Sequence, residues 1–548
     1  IGSTMHSILA RFNFSIFSTS FDTAADLIGF NKYDFPEDDL RNPGSIPDLI
    51  GDQLKNNYLI FSNLHSCMII LIVAISILGS FIGLINHTQN SFILIFFPLL
   101  FTSFGLLINS LVTQLINYLN IVETKLFAKK FFQLICNSTL LVIGLFLLNK
   151  YGNIPNNIIK SVVIGFASVI VLYPILYWVL SIKSKVVKFV ATCSSDSILN
   201  TISSGLFIGF LMAFVIAIGI CITLGKGVLI TGKKVNLFLD FYHIGCISLS
   251  LLIGSFPIIS TTLSKPLLDN SAGIAEMLSY DLDQRQFLQK LNAYSNISVA
   301  FFNTIITIVV MLSSCMYLLF YILKSLKTAN LISYFSNISD TKLLDPGTLI
   351  HNLELQNFII PFQVHFLNGK FLLGSILGVS FLFGFIALIM WGVSVSYKKI
   401  NFFIKQELKN NPEIWEGSKC PNYFNLIQEI TTFSNKFMLM SFVLCISLII
   451  FSWIKIGVAG TIGFLIAQIT FGSILSLFFS YSGTIWANTK FLIESDIENI
   501  GKPVHIAVLF SDKLGDIFKD AIAPFIIDNI KFIILLGIIM VGLILKFD

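Results

Sequence analysis

Charge is what this chain lacks. Only 12% of its 548 residues are Asp, Glu, Lys or Arg, about half the share of an ordinary soluble domain, roughly 25%. That scarcity excludes a water-soluble enzyme, a nucleic-acid binder and a disordered scaffold, all of which need more charge to solvate their surface. No Asp or Glu occurs between Asp52 and Glu123. The formal net charge of +5 is spread over many loops, so it bears on topology rather than on an anionic partner. The eight cysteines show no C-x-x-C spacing, which argues against a disulfide framework or a zinc site and leaves them as core filling. The residues after Ile1 read as the end of an apolar helix, without the basic segment and cleavage site of a secretory signal.

What is present is apolar sequence: 55% hydrophobic residues and a mean hydropathy of +0.84. Runs of roughly 18 to 25 such residues suit helices crossing about 30 Å of hydrocarbon. The spacing predicts an all-α, polytopic helical membrane protein with about twelve spans, the first partial. They fall near 1–21, 47–80, 92–113, 131–150, 158–182, 200–225, 237–264, 293–325, 370–394, 434–455, 458–483 and 524–546. Residues 1–548 then form a single transmembrane domain in a lipid bilayer, with its chemistry in segments 22–63, 265–296 and 484–523.

If the spans alternate, the loops 22–46, 114–130, 183–199, 265–292, 395–433 and 484–523 share one side. That side carries nearly all the acidic clusters and the basic residues Lys125, Lys129, Lys130, Lys183, Lys185, Lys188, Lys398, Lys399, Lys405 and Lys409. The positive-inside bias makes it cytoplasmic.

Three acidic boxes lie on that side. Asp22 and Asp26 are four residues apart, as are Asp48 and Asp52, so each pair shares one face of a helix. Like charges so placed repel and call for a cation; carboxylates with water suit Mg²⁺, usually beside substrate phosphates. Asp512, Asp516 and Asp520 repeat the device, with Lys519 beside the last and Lys490 upstream. Carboxylates, magnesium and lysine together describe a site for a polyphosphate anion. The middle box, Asp269 to Met277, precedes a helix that includes Asn296.

These motifs resemble those of the membrane-bound pyrophosphatases, which couple hydrolysis of magnesium pyrophosphate to pumping of protons or sodium ions. Asp22 to Asp52, with Pro36-Glu37-Asp38-Asp39 and Arg41-Asn42-Pro43, resembles the family's first signature, and Asp269-Asn270-Ser271-Ala272-Gly273-Ile274-Ala275-Glu276-Met277 its second. Tyr481-Ser482-Gly483 through Trp486, Asn488 and Lys490, then His505 to Pro524, resembles the third. The resemblance implies a chain that begins inside the family's fifth helix, a homodimer, and Mg²⁺ as cofactor with inorganic pyrophosphate as substrate. It places Asp22, Asp26, Asp48, Asp52, Asp269, Asp512 and Asp516 around the metal, Lys490, Lys519, Asn296 and Glu37 on the substrate, and Asp520 as a catalytic base.

The chain departs from the family at several positions. Asn56 stands where a third aspartate of the first box belongs, Thr19 and Phe30 where lysines bind phosphate, Phe491 at another basic position, and Ala487 beside Trp486 where an acid is expected. Lys32 lies two residues beyond Phe30, on a different face of a helix, and so is a poor substitute. The family's ion gate combines an arginine, a lysine, an aspartate and a glutamate. Arg11 and Lys531 match the bases, whereas Asn63 and Ile70 replace the acids. The gate remnants are therefore expected to lack a carboxylate, and the lone His65 nearby to be a hydrogen-bonded core residue. The first expectation is a pyrophosphate-energised proton pump. The alternative is a degenerate relative that binds magnesium and pyrophosphate but does not pump and hydrolyses slowly or not at all; a secondary transporter is more remote.

Overall fold

The computed structural model describes residues 2–28, 39–54, 58–86, 91–118, 126–152, 154–230, 237–278, 280–336, 364–365 and 367–547. In a bilayer each backbone N–H and C=O needs an internal partner, which long apolar runs meet by forming helices. Among the described residues the regular elements are helical: α1 (Gly2–Ile28), α2 (Ser45–Gln53), α3 (Leu59–Asn86), α4 (Ser91–Tyr118), α5 (Leu126–Gly152), α6 (Asn156–Leu180), α7 (Lys185–Asp196), α8 (Ile198–Leu229) and α9 (Leu237–Gly254). There follow α10 (Phe256–Thr262), α11 (Lys265–Met277), α12 (Leu282–Ser336), α13 (Gly369–Asn410), α14 (Tyr423–Glu494), α15 (Pro503–Asp516), a π-helical turn (Ile517–Ile522) and α16 (Ala523–Phe547).

Ten helical stretches among the described residues are long and apolar enough to cross a membrane. One of them, α14, is two helices that meet at Gly457, where φ is 70° and ψ −166°. That conformation is open essentially only to glycine. Trp453 packs edge-on against Phe464 across the break, so the chain reverses there. Divided there, the ten stretches become eleven among the described residues, close to the number the apolar pattern predicts, whereas α1, the expected partial first span, is not among them.

The polar stretches between spans are more helical than hydropathy suggests. Residues 395–410 continue α13, 185–196 form α7, 485–494 continue α14, and α12 begins at Leu282. Hydropathy marks where a helix leaves hydrocarbon, whereas the backbone ladder continues into water as long as its hydrogen bonds are kept.

One end of the bundle collects the acidic segments. Asn42 donates from Nδ2 to the Ala25 carbonyl and accepts from the Gly44 amide through Oδ1, tying the segment before α2 to the end of α1. Tyr423 donates to the Leu40 carbonyl, and Asn488 Nδ2 donates to the Leu180 carbonyl at 2.7 Å. At the same end α14 and α15 touch backbone to backbone: a Cβ on Gly483 would lie 2.4 Å from the Gly515 carbonyl oxygen and 2.7 Å from Lys519 Cβ. Only glycine lets the wall bearing Lys519 close on the wall bearing Lys490.

Gly483→Ala is expected to cost about 1–3 kcal/mol through overpacking and to lower the thermal transition of the detergent-solubilised protein. Gly384→Ala, at an exposed position with nothing within 4 Å of the added Cβ, is the control and is expected to leave it unchanged. Equal transitions for both variants would refute the close approach.

Candidate functional site

Helical spacing delivers the site. One cavity at the acidic end, enclosing about 180 Å³, is lined by Asp22 and Asp26 of α1, Asp48 and Asp52 of α2, Lys265 and Asp269 of α11, and Arg285, Gln289, Asn292 and Asn296 of α12. Ala487, Lys490, Phe491 and Glu494 of α14, Asp512, Lys513 and Asp516 of α15, and Lys519 and Asp520 of the π turn complete the wall. Within each helix these positions are three or four apart, so each helix turns one stripe inward. The π turn widens the ladder where Lys519 and Asp520 enter, a distortion often found at functional sites.

The residues singled out in the sequence thus meet in one place: Asp22, Asp26, Asp48, Asp52, Asp269, Asn296, Lys490, Asp512, Asp516, Lys519 and Asp520 all line the cavity. Glu37, Phe30, Lys32 and Asn56 lie outside the described residues. Thr19 is fully buried and is not among the lining residues, whereas Ala487 and Phe491 do face the cavity.

Sequence reasoning missed two of the lysines that pair with these acids, Lys513 and Lys265. Lys513 Nζ lies 3.0 Å from Asp22 Oδ1 and 3.4 Å from Asp516 Oδ2, and it is also paired with Asp26. Lys265 Nζ sits 2.5 Å from Asp269 Oδ1 and donates to Asn292 Oδ1 at 2.9 Å. Lys519 Nζ lies 2.6 Å from Asp516 Oδ1 and 3.8 Å from Asp512 Oδ1. Lys490 Nζ reaches Asp26, Glu494 and Asp512 at 3.7 to 3.8 Å, and Asn296 Nδ2 donates to Asn488 Oδ1. The i,i+4 spacing of Lys265 and Asp269 was the available signal. Lys513 gave none, because its partners on α1 are almost the length of the chain away.

Asp48 stands out. It is half-buried, and its enclosed Oδ1 has no hydrogen-bond partner among the described residues. Burial first, then the fields of Asp22, Asp52 and Asp26, push its carboxyl well above the ordinary carboxylate range, against the pull of Lys513. Burial likewise raises Asp269, with Lys265 opposing. A divalent ion needs carboxylates that are not already neutralised. Asp48 fits that requirement; Asp22, Asp26 and Asp516 share a lysine ammonium and do not. No group of three or more His, Cys, Asp or Glu among the described residues is arranged to hold a metal by protein ligands alone, so water and substrate oxygens would complete any magnesium shell at Asp48 and Asp52.

A second charged cluster is buried among the spans, and it overturns the expectation that Arg11 and Lys531 lack a carboxylate. Arg11 Nε donates to Asp528 Oδ2 at 3.2 Å, and Lys531 Nζ lies 2.6 Å from Asp528 Oδ1. Lys531 also donates to Asn63 Oδ1 at 2.6 Å and to Ser66 Oγ at 2.8 Å, and Arg11 Nη2 donates to the Leu59 carbonyl. The acid comes from α16 instead of α3, three residues before Lys531. That i,i+3 spacing was legible in the sequence but sat inside an apolar run. His65 points to the outer face of α3 and stacks on Phe61, so it is neither core nor part of this cluster.

Two predictions follow from this electrostatics. A raised carboxyl means that the folded protein binds more protons than the unfolded chain between the ordinary carboxylate range and the raised value, so stability falls as pH rises through that window. Asp48→Asn is therefore expected to raise the thermal transition of the metal-free protein at pH 7.5, with the gain shrinking as the pH approaches about 4. An unchanged or lowered transition at pH 7.5 would contradict the strained carboxyl. At the buried cluster, Asp528→Asn strands two cations and is expected to cost about 3–5 kcal/mol, whereas replacing Arg11, Asp528 and Lys531 together by Met, Leu and Met recovers most of the loss. Additive losses in the triple variant would disprove mutual neutralisation.

The sequence profile described as inorganic H+ pyrophosphatase matches residues 1–540. Among similar proteins, a K+-insensitive pyrophosphate-energized proton pump of Methanosarcina mazei is 24% identical over 99% of this chain and 75% of its own length. A K+-stimulated pyrophosphate-energized sodium pump of Thermotoga maritima is 24% identical over 99% of this chain and 74% of its own. A protein of Bacteroides thetaiotaomicron, provisionally given the same sodium-pump name, is also 24% identical, over 99% of this chain and 74% of its own. With a match that runs nearly from end to end, the chain belongs to the membrane-bound inorganic H+ pyrophosphatase family of pyrophosphate-energised ion pumps.

Proposed function

We propose that this protein hydrolyses magnesium-complexed inorganic pyrophosphate on the cytoplasmic side of the membrane and couples the reaction to proton translocation. One observation carries the substrate. The cavity is lined by nine carboxylates against five basic side chains, a formal excess of four negative charges. A bare polyanion is repelled by such a wall, and a simple cation site has no use for Lys490 and Lys519. An anion that arrives with its own divalent cations satisfies both sets of groups.

In this reading Lys490, Lys519 and Asn296, with Glu37, bind and orient the diphosphate. Asp48, Asp52, Asp269 and Asp512 hold or face magnesium, which when bound screens the charge of the phosphate oxygens. Asp520, beside Lys519 and half-buried, orients a water and takes its proton as it attacks phosphorus in line. The bridging P–O bond breaks as the water oxygen bonds to phosphorus, so that P₂O₇⁴⁻ and water become two HPO₄²⁻ with no change in total charge, and the two smaller anions leave separately. A homodimer in the lipid bilayer belongs to the same reading and rests on the family resemblance alone.

Protons fit the buried cluster better than sodium. The Lys531 ammonium already sits among Asp528 Oδ1, Asn63 Oδ1 and Ser66 Oγ, the oxygens a metal cation would need. The same observation favours a second reading, hydrolysis without transport, because Arg11 and Lys531 between them engage both oxygens of Asp528.

Purified membranes are expected to release phosphate from magnesium pyrophosphate, and Asp520→Asn to lower the rate by about 10²–10⁴-fold. Release no greater than in the variant would sink the hydrolase reading. Acidification of sealed vesicles on adding pyrophosphate, independent of sodium, separates pump from uncoupled hydrolase. A sodium requirement would overturn the choice of proton.

A further inference from the structure

We propose that the Lys513 ammonium serves as a resident cation, standing in for a divalent ion between α1 and α15, so that the protein assembles its site with one bound metal fewer than its carboxylates would otherwise demand. This deepens the pyrophosphatase reading and rests on it for the substrate, but the cation count can be tested without turnover.

The geometry is specific. Lys513 is buried, and its Nζ contacts carboxylates from two elements: Asp22 and Asp26 on α1 and Asp516 on α15. Three carboxylate groups around one small cation is the arrangement expected of a metal centre, and here the centre is the end of a side chain. Burying such acids without a cation costs several kcal/mol each, so something positive must be present whether or not metal is bound. The neighbouring pairs do not duplicate the role. Lys265 serves Asp269 through one helix turn, Lys519 serves Asp516 and Asp512 within its own wall, and Lys490 stands farther off at 3.7 to 3.8 Å. Lys513 contacts both Asp22 and Asp26 across the junction of α1 and α15 at close range. Asp48, by contrast, keeps an orphaned Oδ1 among the described residues. The cavity therefore divides into a stretch neutralised by the chain itself and a stretch left for metal.

The consequence is a measurable change in metal stoichiometry. Mn²⁺, as a countable substitute for Mg²⁺, is titrated onto the purified full-length protein by equilibrium dialysis, with and without imidodiphosphate, a diphosphate analogue that is not hydrolysed. Lys513→Ala is expected to bind about one more Mn²⁺ per chain than wild type in both conditions, since Asp22, Asp26 and Asp516 lose the ammonium they share and their oxygens can take a metal in its place. Lys455→Ala, an exposed lysine over Phe451, is expected to leave the count unchanged. In a parallel thermal series with chelator, wild type retains its transition, whereas Lys513→Ala loses stability and regains it on adding Mn²⁺. An unchanged metal count in a folded Lys513→Ala variant overturns the proposal. So does a variant that stays unfolded at saturating Mn²⁺, because the ammonium would then be doing something a metal cannot. An extra bound ion together with absent phosphate release in wild type keeps this assignment while removing the hydrolase reading, and the converse result does the reverse.

Discussion

Neutralising buried charge inside the protein is the constraint on which the rest of this structure depends. Unit charges about 4 Å apart interact by about 1 kcal/mol in water and about 4 kcal/mol at the effective dielectric of a protein, so neither attraction nor repulsion can be left to solvent. The chain answers by interleaving. Each acidic helix stripe at the cavity meets a lysine from its own helix or an opposing one, and the buried Arg11–Asp528–Lys531 cluster repeats the device among the spans. Asp48 is the principal exception, and its raised carboxyl marks the place where the protein leaves charge balance to something it binds.

The two charged layers are linked covalently through one continuous element. Asp520 lies in the π turn and Asp528 in the helix that continues from it. Eight residues at 1.5 Å each separate their levels by about 12 Å. One additional residue in the π turn shifts the following helical face by about 100° relative to an uninterrupted α-helix, a simple way for one strip of chain to serve both a polar cavity and a packed interior. A change in charge at the cavity then acts on a helix that also carries the buried carboxylate and Lys531, without any separate moving domain. Close backbone contact between Gly483 and Gly515 joins this strip to α14, so the two lysine-bearing walls move together or not at all.

Much of this was legible in the sequence because helical periodicity is local. The pairs Asp22–Asp26 and Asp48–Asp52 announce one-sided acidic faces by their spacing, and the break between spans at Gly457 shows as a small residue between two apolar runs. Pairing across the bundle is not local, and there the sequence falls silent. Lys513 reads as one more polar residue in an acidic ladder until α1 is seen to lie against it. Asp528 reads as an interruption of a hydrophobic span until Arg11, more than 500 residues away, is seen to meet it. Replacement of the family's acids by Asn63 and Ile70 suggested an absent charge, whereas a carboxylate had been supplied from another helix. Aligned positions report a side chain at a point in sequence; electrostatics requires only a charge at a point in space, and several helices can provide it.

A tethered ammonium and a divalent ion are not equivalent solutions, and under the proposed function the cavity would have a use for both. The lysine is always present at high effective concentration, because its attachment to α15 removes the entropy cost of recruiting a free ion. It carries one charge and donates hydrogen bonds, so it can hold carboxylates together, but it cannot bridge phosphate oxygens and polarise them as a metal does. Lys513 lies where three carboxylates face one another and structure is at stake. Asp48, on α2, with its unpartnered oxygen, is where an incoming anion would need its charge screened. Under the proposed function, assigning the fixed cation to the scaffold and the exchangeable one to the substrate would let the bundle remain folded when metal is scarce, while the reactive arrangement would wait for magnesium and diphosphate to arrive together.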